Sequence, residues 1–357
     1  MSKKLNKLVD INGLREFKSK LVGVNSAYVQ TGAVNQTIGG TKTFSKPIVG
    51  SVTGNAATAT KLAAKRTIAL SGAATGTATG FDGSGNITIP VTALASSAIR
   101  AQWYAAYPDG AEAHNAMWGG RNITAAFDNG TFSANVANGT FRDIFPGDYI
   151  TKRVTISGKA YTVNWVIADC DYWINKGDNS VMTAHHVAIV PQTLIFSARM
   201  NPTNSTEGGY AGSEMHKNVI PACATGIVGA FGSSHILTFS ECLTHDLNPS
   251  AVSSGITVWT GASNWGGAWY SQQCNLLSEA MVYDGPHCAA SAVDNIMSTR
   301  QMSAFRLSER LINYNKAGYW LRDVASSAVF AAVRGAGLAS TGAASIVLGV
   351  RPFALLR

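Results

Sequence analysis

The chain has 357 residues, 13% of them charged, with 36 glycines and a formal net charge of +8. That length admits two or three domains, since single cores rarely grow past roughly 250 residues, and the lack of an apolar run of about 18 residues excludes a membrane-spanning helix. The five cysteines are an odd number without short paired spacings, which argues against a disulfide framework and a zinc cluster and in favour of small buried hydrophobes.

The positive charge is segregated. Residues 1–81 hold 11 Lys and Arg against 2 Asp and Glu, whereas residues 82–357 hold 17 against 18. The basic end has few aromatics to stack on bases, so a solvated, self-repelling shaft surface is preferred to a nucleic-acid interface. The opening MSKKLNKLVDINGL lacks the apolar stretch and cleavage site of a secretory signal, so the chain is expected to be made and kept in a cytoplasm.

In chain order, residues 5–21 predict a short amphipathic helix: Leu5, Leu8, Val9, Leu14, Phe17 and Leu21 recur near helical spacing among Lys and Arg. So short a helix needs a cover for its apolar stripe, either sister copies or an attachment protein. Residues 1–24 are therefore assigned to an attachment segment. From about Tyr28 to Leu94 the texture changes to brief strand-like runs punctuated by Gly and Asn, each too short and too poor in large apolar residues to bury a core within one chain. Association between chains supplies the missing burial in this reading, over residues 25–100.

The phrases VNQTIGGTKTFSKPIVGSVTGNAATATKL and FDGSGNITIPVTAL resemble the shaft segments of phage tail fibres, and LVDINGLREFKSKL is similar to the N-terminus of such fibres. The resemblance covers roughly the first hundred residues. It implies a homotrimeric, elongated virion component, assembled in the host cytoplasm, whose N-terminus meets a tail or baseplate protein.

Residues 101–140 mix aromatics with Asn-Gly turn signals and are expected to form a connector. Beyond Phe141, DYITKRVTISGKAYTVNWVIADCDYWI predicts two alternating strands around Ser157-Gly158-Lys159. Helical periodicity is expected from Gly212 to Cys223 and again from Tyr270 to Tyr283, and strands in HHVAIVPQ, HILTFSECL, SAVFAAVR and VRPFALL. Interspersed helices and strands define an α+β domain over residues 141–357.

This half carries a second resemblance. FRDIFPGDYI, IADCDYWINKGD, ARMNPTNSTEGGYAGSEMH, YWLRDVASSAVF and GVRPF look like the C-terminal domains of phage and prophage proteins with a C-type-lectin-like fold, some of them diversified by retroelements. The resemblance implies that changeable, solvent-facing side chains lie between the Trp-Leu-Arg segment and the Gly-Val-Arg-Pro strand, here Ser326 to Leu348. The expected architecture is thus α+β: an N-terminal helix and elongated trimeric β shaft, then a C-terminal C-type-lectin-like domain.

The residues themselves point to the same window. Tyr319-Trp320-Leu321-Arg322-Asp323 before it and Arg351-Pro352 after it would hold a surface hairpin still, with turns at Gly335 and Gly337. Alternation makes Val329, Ala332, Arg334, Leu338, Ser340, Ala343, Ile346 and Leu348 an outward face, with Phe330 either its aromatic anchor or a core plug. Their small, apolar character suits shape matching, and Arg334 is the lone cation able to pair with an acidic group. The competing reading is a plain core hairpin.

Other clusters favour structural roles. Asp169-Cys170-Asp171 with His185-His186 contains metal-ligand types, but neighbours on a strand point to opposite faces, so hydrogen-bonded strand ends are preferred to a metal site. Asn201 to Tyr210 is either a sugar-contacting loop or, preferably, a loop that caps a following helix through Ser213 or Thr206. Trp259, Trp265 and Trp269 are equally a carbohydrate platform or core filling. The cysteines reproduce no reactive pair and no carboxylate pair suits glycoside cleavage, so no catalytic residue, metal or cofactor is assigned. The expected role is attachment of a virion to a bacterial surface glycan or protein; a purely structural tail, collar or baseplate part and an envelope-degrading enzyme are the rivals.

Overall fold

A computed structural model describes residues 11–27, parts of 35–95, residues 99 and 102, and 108–357 apart from 179, 246–266, 289–299 and 314. The chain divides into two units, residues 1–70 with 76–90 and residues 71–75 with 91–357. Among the described residues it is a mixed α+β protein, mostly sheet with few helices.

The first unit opens with α1 (Ile11–Ala27); residues 5–10 of the expected helix lie outside the described residues. Its Ile11, Leu14 and Phe17 lie bare in the single chain, at 69%, 50% and 66% exposure. Strands β1 (Arg66–Ile68) and β3 (Thr79–Phe81) pair antiparallel in this unit, whereas β2 (Ala74–Gly76) pairs with β4 (Val91–Leu94), which falls in the second unit. The strands are three or four residues long and β1 is exposed throughout, so they bury almost nothing. In the Phe-Asp-Gly-Ser-Gly phrase, Asp82 Oδ1 accepts from the Ser84 N–H at 3.1 Å and hydroxyl at 2.6 Å, closing a turn around Gly83.

In the second unit, packed structure is present before Phe141. Residues 111–137, assigned by sequence to a connector, form α2 (Ala111–His114), α3 (Thr124–Asp128) and α4 (Thr131–Ala137). Their Ile123, Phe127, Phe132 and Val136 are buried in the main hydrophobic cluster. Helices of four to seven residues complete too few turns to display a period, which is why the sequence concealed them.

Two sheets organise the rest. The larger has the order β12 (Cys274–Leu276), β17 (Pro352–Leu356), β7 (Val187–Pro191), β6 (Lys159–Cys170), β5 (Tyr149–Ile156), with β9 (Ile236–Leu237) also beside β17. Strands β5 and β6 turn at Ser157 and Gly158, whose φ values of 48° and 78° suit a tight hairpin. The smaller sheet runs β15 (Ala339–Ala343), β14 (Val329–Val333), β13 (Tyr319–Val324), β16 (Val347–Val350), β8 (Phe196–Arg199). All its pairs are antiparallel except β13 with β16. Separately, β10 (Phe239–Thr244) pairs antiparallel with β11 (Gly267–Gln272).

The inner strands of both sheets are covered on both faces. Alternate residues of β17 go to opposite sides, Ala354 and Leu356 to one hydrophobic cluster and Phe353 and Leu355 to the other. One cluster is closed by α2 to α4 and by α5 (Ile220–Phe231), whose Gly226 lies against the Thr155 carbonyl so closely that a methyl group there would stand 2.6 Å from it. The other is closed by α6 (Glu279–Tyr283), α7 (Ser303–Leu307) and α8 (Glu309–Ile312). The helix expected over Tyr270–Tyr283 is therefore mostly strand, because β11 pairs with β10 and β12 with β17; only Glu279–Tyr283 is helical, capped by the Ser278 hydroxyl.

Candidate functional site

The hairpin window of the sequence forms β14, a turn, β15, a second turn and β16. Its foundation is β13, buried along its whole length. Trp320 donates its indole N–H to the Ala198 carbonyl at 2.9 Å, and Tyr319 its hydroxyl to Ile312 at 2.8 Å. Arg322 forms a fully buried ion pair with Glu241 of β10. Glu241 Oε2 also accepts from Gln272 and Asn275, each at 2.6 Å, and Asn275 Oδ1 accepts the Tyr210 hydroxyl at 2.6 Å. The hydrogen bonds to Glu241 Oε2 offset part of the cost of taking this charge pair out of water, and they tie β10, β11 and β12 to β13.

The far end of the window is held by Arg351, where the chain leaves the smaller sheet for the larger. Its guanidinium is buried and donates to the carbonyls of Pro191 at 2.8 Å, Leu311 at 2.9 Å and Ile312 at 3.2 Å, and to the Tyr319 hydroxyl at 3.2 Å. Burial pulls its pKa below the usual arginine value. Both turns are fastened as well. The Tyr283 hydroxyl donates to Gly337 O at 2.9 Å and Asn313 Nδ2 to Arg334 O at 2.5 Å. At the other end Asn204 Oδ1 accepts from the Ser345 N–H at 3.1 Å and hydroxyl at 2.6 Å. A small-residue hairpin is thus rigid because its neighbours bind its backbone. The sequence singled out β13 and Arg351 but missed Tyr283, Asn313 and Asn204, which come from remote segments.

The face itself differs from strict alternation. Phe330 and Ala332 are interior, at 0% and 2% exposure, so Phe330 is a core plug and neither meets solvent. The cause is that β14 lies second in its sheet and is itself covered on both faces: Phe330 and Ala332 join one cluster, Ala331 and Val333 the other. Leu348 packs partly against the first cluster, and Val329, Ser340 and Ala343 are half-buried. Arg334, Leu338 and Ile346 do face outward, Leu338 at 65% and Ile346 at 42% exposure, joined by exposed Thr341 and by Val347 at 55%.

The small side chains have an inward purpose too. Trp320 reaches across β14 to Gly342 of β15, where a Cβ would stand 2.7 Å from its ring. Ala332 and Gly342 therefore make room for an indole. What remains outside is a mixed surface of Leu338, Ile346, Val347, the Thr341 hydroxyl and one guanidinium. Arg334 donates through Nε to Ser340 Oγ at 2.6 Å, and its two terminal nitrogens make no hydrogen bond or ion pair with a described residue, which leaves a fork suited to a carboxylate or phosphate.

The other sequence candidates are occupied within the fold. Asp169 is buried and takes both terminal nitrogens of Arg300 at 2.6 Å and the Ser303 N–H at 2.9 Å. Asp171 bonds His185 at 2.6 Å and the His186 N–H at 2.9 Å. His186 Nε2 accepts from the Trp173 N–H at 3.0 Å while Nδ1 lies 2.9 Å from the Ala184 carbonyl, a neutral ring whose pKa burial lowers. Among the described residues no cluster of three or more His, Cys, Asp or Glu is arranged to hold a metal ion. In the 201–210 loop, Asn201 Oδ1 accepts from the Glu214 N–H and Ser213 Oγ from the His216 N–H, capping the helical turn that precedes α5; Thr206 instead bonds Ser326 O. Trp269 packs partly against the second cluster, and Trp259 and Trp265 lie outside the described residues. Burial pushes the thiol of Cys223 up to about 12 and raises those of Cys170 and Cys274.

Comparison of the chain with protein-family models, with curated proteins and with solved structures gave no match. The class of protein is therefore defined by its own fold and surface: a mixed α+β, sheet-dominated chain that presents a pinned hairpin.

Proposed function

We propose that this chain is the receptor-binding fibre of a phage tail, a homotrimer that attaches the virion to a bacterial surface glycan or protein. Residues 1–24 join the tail or baseplate, residues 25–100 form the shaft, and a C-type-lectin-like head carries the hairpin. The observation that carries this reading is the hairpin's combination of rigidity and exposure: β13, Arg351, Tyr283, Asn313 and Asn204 fix its backbone, yet Leu338, Ile346 and Val347 stand in water. Pre-ordered apolar groups bind without the entropy loss of ordering a loop. The uncovered stripe of Ile11, Leu14 and Phe17 and the exposed short strands support association with sister chains. Three heads on one shaft add avidity to a weak single site. The reading assigns no catalysis, cofactor, metal, nucleic acid or membrane insertion.

The test is whole-cell binding by the full chain across a panel of bacteria, with Leu338→Asp and Arg334→Ala beside the parent. Each variant is expected to lose at least about tenfold in binding while melting with the parent, since exposed substitutions change stability by only about 0.5 kcal/mol. Virions that lack residues 108–357 yet assemble and adsorb normally would assign the chain to the structural class instead. Release of oligosaccharide from host envelope by the purified chain would assign it to the enzymes.

A further inference from the structure

Trp118 is the only exposed tryptophan among the described residues, at 44% exposure. It does not hang loosely. The Trp-Gly-Gly-Arg loop that carries it wraps around Asp148, a carboxylate with no solvent exposure. Asp148 accepts from the Arg121 N–H at 2.9 Å, from Arg121 Nε at 3.2 Å and Nη2 at 2.8 Å, and from the Phe145 N–H at 3.1 Å. Gly119 N–H completes the closure on Pro146 O at 2.9 Å.

The indole lies directly on the backbone of Gly147: a Cβ built there would stand 2.6 to 2.7 Å from the ring-fusion carbons and their neighbour. Gly120 approaches the same ring at its nitrogen, 2.9 Å from a built Cβ. Both glycines have positive φ, 91° and 72°, so any other residue would be strained there as well as obstructed. The indole is thus seated on peptide although the residue as a whole stays 44% exposed. Leaving so large an apolar surface in water forgoes burial worth about 25 cal/mol per Å², a loss that a ligand would recover.

Trp118 lines a cleft of about 370 Å³ together with Gly120 and Gly147 beneath it and with Tyr149, Gln192, Ser308, Arg310 and Leu311. Its size is at the lower end for small-molecule sites, that of a mono- or disaccharide. An aromatic platform with hydroxyl, carboxamide and guanidinium groups around it matches a ring that has an apolar C–H face and a rim of hydroxyls. We infer that the Trp118 cleft is a saccharide-binding site in which one pyranose ring stacks on the indole and its hydroxyls are held by Gln192, Ser308 and Arg310. The site uses none of the hairpin residues, and it stands whether or not the hairpin attaches a virion to a cell.

Saturation-transfer NMR on the full chain tests this with methyl β-glucopyranoside, methyl β-galactopyranoside, N-acetylglucosamine and glucuronate as probes. Transfer to at least one is expected, strongest for ring protons on a single face, with quenching of tryptophan fluorescence. Trp118→Ala is expected to weaken binding at least about tenfold and Trp118→Phe, which keeps a ring, by about threefold. Ser308→Ala, which leaves the platform intact, is expected to weaken it about threefold and keeps the test open if Trp118→Ala does not fold. Leu338→Asp is expected to leave this binding unchanged. Absence of transfer to all four probes, or affinities that neither Trp118→Ala nor Ser308→Ala alters, would overturn the inference.

Discussion

The substitution Gly342→Ala isolates the packing that shapes the hairpin. The new Cβ would sit 2.7 and 2.8 Å from two atoms of the Trp320 ring and 3.2 Å from a methyl carbon of Ile346. Carbon atoms prefer about 3.5–4.0 Å, so ring and strand must separate by close to 1 Å. Trp320 cannot yield easily, since it is fully buried and its indole N–H is held by Ala198 O at 2.9 Å. Overpacking of this kind costs about 1–3 kcal/mol, which lowers Tm by a few degrees up to about 10 °C in a domain of this size. Trp320→Phe removes the far edge of the ring and should itself cost about 1–3 kcal/mol through the cavity it leaves. In that background the alanine methyl enters vacated space, so the pair should be non-additive by about 1–2 kcal/mol in favour of the double variant. Urea and thermal unfolding of the four proteins measure this cycle. A neutral Gly342→Ala, or the same loss in both backgrounds, would refute the claim that Gly342 is small because Trp320 occupies its space.

Two further outcomes follow from buried titratable groups. Burial lowers the pKa of His114, His186 and His216 below the ordinary histidine value, so the folded chain binds fewer protons than the unfolded one. Their stabilising contribution is therefore complete above the unfolded pKa of about 6.5 and is lost as pH falls below it. The urea midpoint should drop between pH 7.5 and pH 5, and less steeply in His186→Gln; an unchanged slope would contradict the assignment. Thiol labelling offers a second check: in the native protein a disulfide reagent should reach Cys288, which is half-buried, and spare Cys170, Cys223, Cys242 and Cys274, which are buried, with all five reacting in denaturant. Rapid native labelling of more than one thiol would contradict the packing of the two clusters.

Local grammar was readable wherever neighbours in sequence are neighbours in space. The turn at Ser157-Gly158 and the alternation around it needed no distant partner, and the two strands formed there. The anchors Trp320 and Arg351 were legible because large or charged residues among small ones must be satisfied somewhere. The short helices of residues 111–137 and the strands at Gly267–Leu276 were not, since their stability comes from clusters and partner strands far away in the chain.

The sequence by itself determined that the chain is α+β, where its last hairpin lies and that β13 and Arg351 brace it. Only the tertiary structure decided which side of that hairpin is surface. A period of two separates a strand's faces without telling which of them is covered, and here β14 is covered on both. Phe330 and Ala332 were therefore drawn inward, leaving the turns and the edge strand to meet solvent. The seating of Trp118 on Gly147 was equally invisible beforehand, because two segments separated by a helical layer had to fold before one could become the floor for the other.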